Sequence, residues 1–382
     1  MRHQYLTDDH EQFRASFASF VEKEMVPHAS RWDEAGIVDR ELFAAAGSHG
    51  FLGFAAPIED GGGGVDDFRF NQVISEELHR FQVGTAGTGL VLQNDVCLPY
   101  FVGLADEEQR KRWLPGICSG ELVAAIAMTE PGAGSDLAGM RTSAIPTDGG
   151  FVLNGSKTFI TNGINADVVI VAAKTDPSLA HRGISLLVVE RGMPGFERGR
   201  NLDKLGMHAQ DTAELFFDNV HVPAENLLGT QGAGFAALVR NLAQERLSIA
   251  VTSVCAARAA FELALAYCTE REAFGRPIAD FQNTRFRLAE MATEVEIGET
   301  FVDRCVEARN RGTLTPETAA MAKYWCTELQ GRVVDTAVQL HGGYGFMVEQ
   351  PVARLYADAR ASRIFGGTNE IMREVIGRSL VR

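Results

Sequence analysis

The sequence predicts an α+β protein in three parts: an N-terminal all-α domain (1–121), a middle β domain of barrel-like or sandwich type (122–230), and a C-terminal four-helix bundle (231–382). Three observations carry this reading. Apolar residues in the first third recur at helical spacing. From about Glu121 the texture turns to short β-rich runs parted by Gly, Pro and Asp. From Gly234 a long, proline-free, Ala/Leu-rich stretch begins.

In the first part, Phe13, Phe17 and Phe20 follow the acidic start Asp8-Asp9 on one helical face, with Pro27 near the helix end. "DRELFAAAGSHG" is a short helix with a glycine stop. "FNQVISEELHR" and "DEEQRKRWLPGIC" are further helices. "PIEDGGGGVD" (57–66) is a flexible loop, because its glycines lack the G-x-x-x-x-G-K-[ST] spacing of a phosphate cradle. In the middle part, "ELVAAIAMT" is a short apolar run, and "FVLNGSKTFIT" predicts a hairpin turning at Asn154-Gly155. "ADVVIVAAKT", "GISLLVVER" and "TAELFFDNVHVP" complete the β texture. In the last part, "GFAALVRNLAQERLSIAVTSVCAARAAFELALAYCTER" predicts a long helix. Segments 279–310, 315–341 and 351–381 continue helically, broken by "RGTLTP" and "HGGYGFMVEQP", so an antiparallel bundle is expected.

The chain has 382 residues, 46% of them apolar, enough for two or three domains with a large core. Its 36 basic and 50 acidic side chains leave a net charge of −14. That argues against nucleic-acid binding but not against a locally basic site for an anionic ligand. Six cysteines (Cys97, Cys118, Cys255, Cys268, Cys305 and Cys326) form no C-x-x-C pair, so free thiols in a reducing compartment are expected. The nine histidines have no metal-ligand spacing, and no metal site is expected. No uninterrupted apolar stretch reaches bilayer length, and "MRHQYLTDDHEQF" lacks the apolar core of a signal peptide. The expectation is a soluble cytoplasmic protein that engages no membrane.

"MTEPGAGSDLAGMRT" (128–142) contains G-x-G after an apolar run, but no crossover helix follows, which disfavours a Rossmann reading. A loop whose backbone N–H groups and hydroxyls face a cofactor fits better. With "FITNG", "REAFGRPIADFQ", "QLHGGYGF" and "GGTNEI" in the same order, the chain resembles the acyl-CoA dehydrogenase family over nearly its whole length.

The resemblance implies a non-covalent FAD between the β domain and the C-terminal helices. By motif, Met128, Thr129, Gly134 and Ser135 match the loop beside the flavin and the substrate thioester. Phe159 and Thr161 match an aromatic packing on the flavin and a hydroxyl near its N5; many relatives carry Trp in place of Phe159. Arg271, Phe274 and Gln282, and Gln339, Gly342 and Gly343, match residues that reach the FAD of a neighbouring subunit, so a homotetramer is implied. Thr368 and Asn369 match the pyrophosphate end, and Ser135, Leu242, Arg246 and Gly367 fall beside the substrate. The implied reaction converts an acyl-CoA to its trans-2-enoyl-CoA and passes electrons to an electron-transfer flavoprotein.

This chemistry needs a base for the α-proton and donors for the carbonyl oxygen. The family often places its glutamate just before Gly-Thr, where this chain has Gly366; the backbone N–H there survives as a donor. Leu238, Leu242, Glu245 and Ile249 form one helical stripe, and Glu245 is the carboxylate on it. Pairing with Arg246, or leaning toward solvent, is the alternative role. "AQERLSIA" paired with "FGGTNEIM" resembles the long-chain and isovaleryl-type subgroup, whose base sits on this helix. The expected catalytic residues are therefore Glu245 and Gly366. An acyl-CoA oxidase or flavin monooxygenase on the same fold, and a non-catalytic subunit, stay open as other readings. The acyl chain is not readable.

Overall fold

A computed structural model describes residues 5–381; the opening "MRHQ", part of the segment read above for targeting signals, lies outside them. The first part holds helices α1 (Asp8–Phe20), α2 (Ala29–Ala35), α3 (Glu41–Ser48), α4 (Phe68–Arg80), α5 (Gly84–Val91), α6 (Leu98–Leu104) and α7 (Glu107–Ser119). The phenylalanines of α1 enter a core with Phe43, Phe51 and Phe54. α7 starts on a reciprocal cap: Asp106 accepts from the Gln109 N–H at 2.9 Å, and the Gln109 side chain accepts from the Asp106 N–H at 3.0 Å. Between α5 and α6 lies a turn of π-helix, Leu92–Cys97, a wide turn of the kind that often marks a functional site.

The middle part is one mixed sheet. Its strands are β1 (Ala124–Ala127), β2 (Ser143–Thr147), β3 (Gly150–Thr161), β4 (Val168–Lys174), β5 (Ile184–Glu190), β6 (Phe196–Asn201), β7 (Thr212–Pro223) and β8 (Leu227–Leu228). The order is β6-β7-β3-β2-β4-β5-β8, with β1 parallel to β4. The hairpin expected at Asn154-Gly155 does not turn there. β2 and β3 reverse at Asp148-Gly149, where Gly149 has φ +93°, and β3 runs straight through Asn154-Gly155. The glycine serves a register shift between Leu153 and Gly155 instead, where a Cβ would lie 2.5 Å from Thr142 Oγ1.

The last part is built on α8 (Gly234–Glu270), whose 37 residues span about 55 Å at ~1.5 Å per residue. A small hairpin, β9 (Glu272–Ala273) and β10 (Arg276–Pro277), leads into α9 (Gln282–Asn310) and α10 (Pro316–His341). The expected fourth helix is two, α11 (Pro351–Ser362) and α12 (Asn369–Leu380), parted by the Gly366-Gly367 turn. By length and composition α8 could cross a bilayer. Here its apolar side chains form cores: Ala237 and Leu238 pack with the β domain and α6, and Leu247 to Cys268 pack with α9 and α10. Asp358 on α11 ties the three parts together, accepting from the Met207 N–H and, at 2.8 Å, from the Thr85 hydroxyl.

Candidate active site

Glu245 lies in the N-terminal third of α8 and is only 6% exposed. Burial raises its carboxyl to about 7, while the Tyr100 hydroxyl and the Arg246 charge pull the other way. Tyr100 Oη donates to Glu245 Oε1 at 2.8 Å. Arg246 is buried too, and its guanidinium is held below its ordinary range by that burial. The solvent-facing role for Glu245 is thereby excluded. Leu242, half-buried, precedes it on the same stripe.

Across from this face sits the turn between α11 and α12. Gly366 and Gly367 both have left-handed backbones, φ +64° and +89°. A Cβ at Gly366 would lie 2.3 Å from Ile249 Cδ1, and one at Gly367 would come to 4.0 Å from an Arg246 terminal nitrogen. Ile249 follows Glu245 by one helical turn, so the Glu245 face of α8 and the glycine turn meet. Among the described residues, no internal acceptor takes the Gly366 N–H. Below the turn, the fully buried Lys323 donates to Gly367 O at 2.8 Å and to Asn369 Oδ1 at 3.0 Å. Asn369 also meets Thr327 and Glu328, so its side chain anchors the turn, and only its backbone is left for the pyrophosphate role expected of it. The Thr368 hydroxyl caps α12 through the Ile371 N–H.

The β domain offers a shelf. Phe159 is 68% exposed and sits at a left-handed φ of +60°, within a register shift between Lys157 and Ile160. A non-glycine residue in that conformation carries strain, and such strain gathers at functional sites. Thr161 follows at the strand end, half-buried. The loop Met128–Met140 is stapled to β3 by the fully buried Lys157, which donates to Glu130 Oε1 at 2.8 Å and Met128 O at 3.0 Å. Glu130 accepts from the N–H groups of Arg141 (2.6 Å) and Thr142 (2.9 Å), closing the loop. Thr129 O accepts from the Thr158 N–H, and Gly134 and Ser135 are exposed with open space around Gly134. An exposed apolar ring, adjacent hydroxyls and an open glycine loop fit a flat, polar-edged cofactor such as FAD.

Arg271, Phe274, Gln282, Gln339, Gly342 and Gly343 are all exposed and gather at the opposite end of α8. Tyr267 stacks on His341 at 4.3 Å, and the Arg271 guanidinium lies 6.0 Å from the Tyr344 ring centre, which joins the two segments. Phe274 and Gly275, at φ +55° and +79°, form the turn of the β9–β10 hairpin, and Phe274 projects 96% exposed. Glu245 and Arg271 are roughly 39 Å apart along α8. Within one chain, the two groups of residues therefore stand at opposite ends of the helix. Among the described residues no cluster could hold a metal ion. Tyr100, Lys157 and Lys323 are functional neighbours that periodicity does not single out, since each sits where an apolar core residue would serve.

A buried carboxylate one helical turn from the residue that packs on the glycine turn, together with an exposed aromatic ring and an open glycine loop on the β domain, fits a flavin-dependent dehydrogenase. Family models for the acyl-CoA dehydrogenase N-terminal, middle and C-terminal domains match residues 7–121, 125–220 and 232–381. The chain is 46% identical to the mitochondrial long-chain specific acyl-CoA dehydrogenase of Sus scrofa, over 98% of this chain and 87% of that one. It superposes on the crystal structure of an acyl-CoA dehydrogenase from Geobacillus kaustophilus with a TM-score of 0.96 and 50% identity, over 99% of each chain. A glutaryl-CoA dehydrogenase from Mycobacterium smegmatis, described in complex with FADH2, is 28% identical with a TM-score of 0.90, over 98% of this chain and 95% of that one. The chain belongs to the acyl-CoA dehydrogenase family, whose members bind FAD.

Proposed function

We propose that this enzyme takes the α-proton of an acyl-CoA thioester onto Glu245 as the Cα–Cβ bond becomes the trans-2 double bond. The observation that carries the assignment is the buried Glu245 carboxylate, one helical turn from Ile249, on which the Gly366 turn packs. When bound, FAD supplies the two-electron oxidant that receives the β-hydrogen as hydride. The Gly366 N–H is a donor for the thioester oxygen, where negative charge grows as the proton leaves. Gly367, Leu242 and Arg246 border the same space, and burial there excludes water from the base. Ser135, on the open loop, is assigned to the thioester side. Met128, Thr129, Gly134, Phe159 and Thr161 would hold the isoalloxazine end of FAD. Thr368, with the Asn369 backbone, would serve the pyrophosphate. Arg271, Phe274, Gln282, Gln339, Gly342 and Gly343 would serve a neighbour's cofactor in a homotetramer. An electron-transfer flavoprotein is the proposed acceptor, and the six free cysteines support the cytoplasm over an oxidising compartment.

The test is Glu245→Gln. It keeps the shape and removes the basicity. Flavin should stay bound while its bleaching by acyl-CoA slows by about 10²–10⁴-fold. Bleaching at the wild-type rate would remove Glu245 from the role of base.

A further inference from the structure

We propose that Tyr100 is the positioning residue for the base: its hydroxyl fixes one oxygen of the Glu245 carboxylate, leaves the other to take the proton, and sets the pH at which the base works. This rests on Glu245 being the base.

The geometry is specific. Tyr100 is fully buried on α6, and its hydroxyl reaches Glu245 Oε1 at 2.8 Å across 145 residues of chain. Among the described residues that is the carboxylate's one hydrogen bond, so Oε2 is left unclaimed. The π-turn before α6 makes the alignment possible. Asp95 in that turn accepts from the Gln244 side chain through its backbone carbonyl at 2.8 Å, and from the Ser248 hydroxyl through its own carboxylate. Asn71 on α4 holds the other Asp95 oxygen at 2.6 Å. The stretch Asp95–Tyr100 thus grips α8 at Gln244, Glu245 and Ser248, on both sides of the base and at it. A carboxylate on a two-methylene arm has several rotamers, and this grip selects one.

The charged and titratable groups around Glu245 are few. Tyr100 and Cys97 face it from the helical stretch of the first part, and Arg246 flanks it on α8. Asp95 lies one turn deeper behind Ser248, and Lys323 on α10 stands behind Arg246. Of these, only Tyr100 donates a hydrogen bond to the carboxylate. A donor to an ionised oxygen favours the ionised form, so Tyr100 opposes the effect of burial.

The experiment uses the FAD-loaded enzyme and whichever of palmitoyl-CoA, octanoyl-CoA or isovaleryl-CoA bleaches the wild type fastest. The rate of bleaching is followed against pH. In parallel, the infrared carboxyl band that Glu245→Gln abolishes is titrated without substrate. Tyr100→Phe should raise both midpoints by about one pH unit, the order expected for losing a hydrogen bond to a charged oxygen. Placing 3-fluorotyrosine at position 100, a stronger donor of nearly the same shape, should lower both; it also decides the matter if Tyr100→Phe does not fold. Unmoved midpoints, or midpoints that both substitutions shift in the same direction, would overturn the proposal while leaving Glu245 as the base. A Glu245→Gln enzyme that bleaches normally would instead remove the reading beneath it.

Discussion

Gly366 and Ile249 are the residues that decide where a carboxylate can stand. At φ +64°, any side chain at 366 costs roughly 1–2 kcal/mol. Its Cβ would also start 2.3 Å from Ile249 Cδ1, the movable end of a side chain. Ile249 sits one turn beyond Glu245, so the helix that carries Glu245 also fills the space a glutamate at 366 would need. The paired pattern of "AQERLSIA" and "FGGTNEIM" follows from this packing. Gly366→Glu in a Glu245→Gln background should therefore restore little bleaching on its own. Adding Ile249→Ala should improve that rescue about tenfold, the effect of relieving some 1.4 kcal/mol. Equal rates with and without Ile249→Ala would mean that Ile249 does not obstruct position 366.

Among elements, the loop Met128–Met140 depends on Lys157, which lies fully buried against Glu130. Burial lowers the Lys157 ammonium. Burial pushes the Glu130 carboxyl up, but Lys157 and the Arg141 and Thr142 donors more than offset that. Lys157→Met strands a buried carboxylate and should cost about 3–5 kcal/mol in a denaturation series, with loss of flavin. Adding Glu130→Gln should recover part of the stability; a double variant no more stable than the single one would refute the pairing. None of this was legible beforehand, because a lysine in "NGSKTFIT" reads as a strand's solvent face. Periodicity and composition did reveal α1, α4, α7 to α10 and the strands β4, β5 and β7; β4 and β5 read as apolar runs because both their faces are buried, while β7 alternates. It failed where long-range contact decides. Asn154-Gly155 is a strong local turn signal, yet β3 pairs with β7 on both sides of it. The stretch Leu92–Cys97 is polar and buried, and only its distant partners explain it: Phe51 and Gly53 for Asn94, Ile117, Leu122 and Ala124 for Gln93, and Asn71 with Gln244 and Ser248 of α8 for Asp95. The burial of Glu245 was legible because an acid on an apolar stripe needs a reason; its contact with Tyr100 was not, because a tyrosine in an apolar run needs none.

At the scale of the whole molecule, the base end and the Arg271 end of α8 lie roughly 39 Å apart in one chain. If both serve FAD, a second chain must bring its Arg271 end to the first chain's shelf. The surface at that end suits such a contact. Phe274, Phe346 and Val348 are 96%, 82% and 77% exposed, with Tyr344 and Met347 beside them. Apolar groups clustered this way mark an interface. The β9–β10 hairpin turn holds Phe274 outward, where its one ring contact among the described residues is the edge of Phe281, 6.1 Å away between ring centres. Cofactor retention and assembly should therefore fail together. Phe274→Asp with Phe346→Asp should reduce the proposed tetramer to smaller species in light scattering. The same variant should lose flavin on gel filtration, although neither residue lies near Phe159 or Glu245 along its own chain. The helices should stay folded by circular dichroism, because both side chains are exposed. Arg271→Ala separates the two effects: it removes one cation and no apolar surface, so it should weaken flavin retention while the proposed tetramer persists. A monomeric double variant that keeps its full flavin would show that each chain binds FAD alone, and the Arg271 end would then need another role.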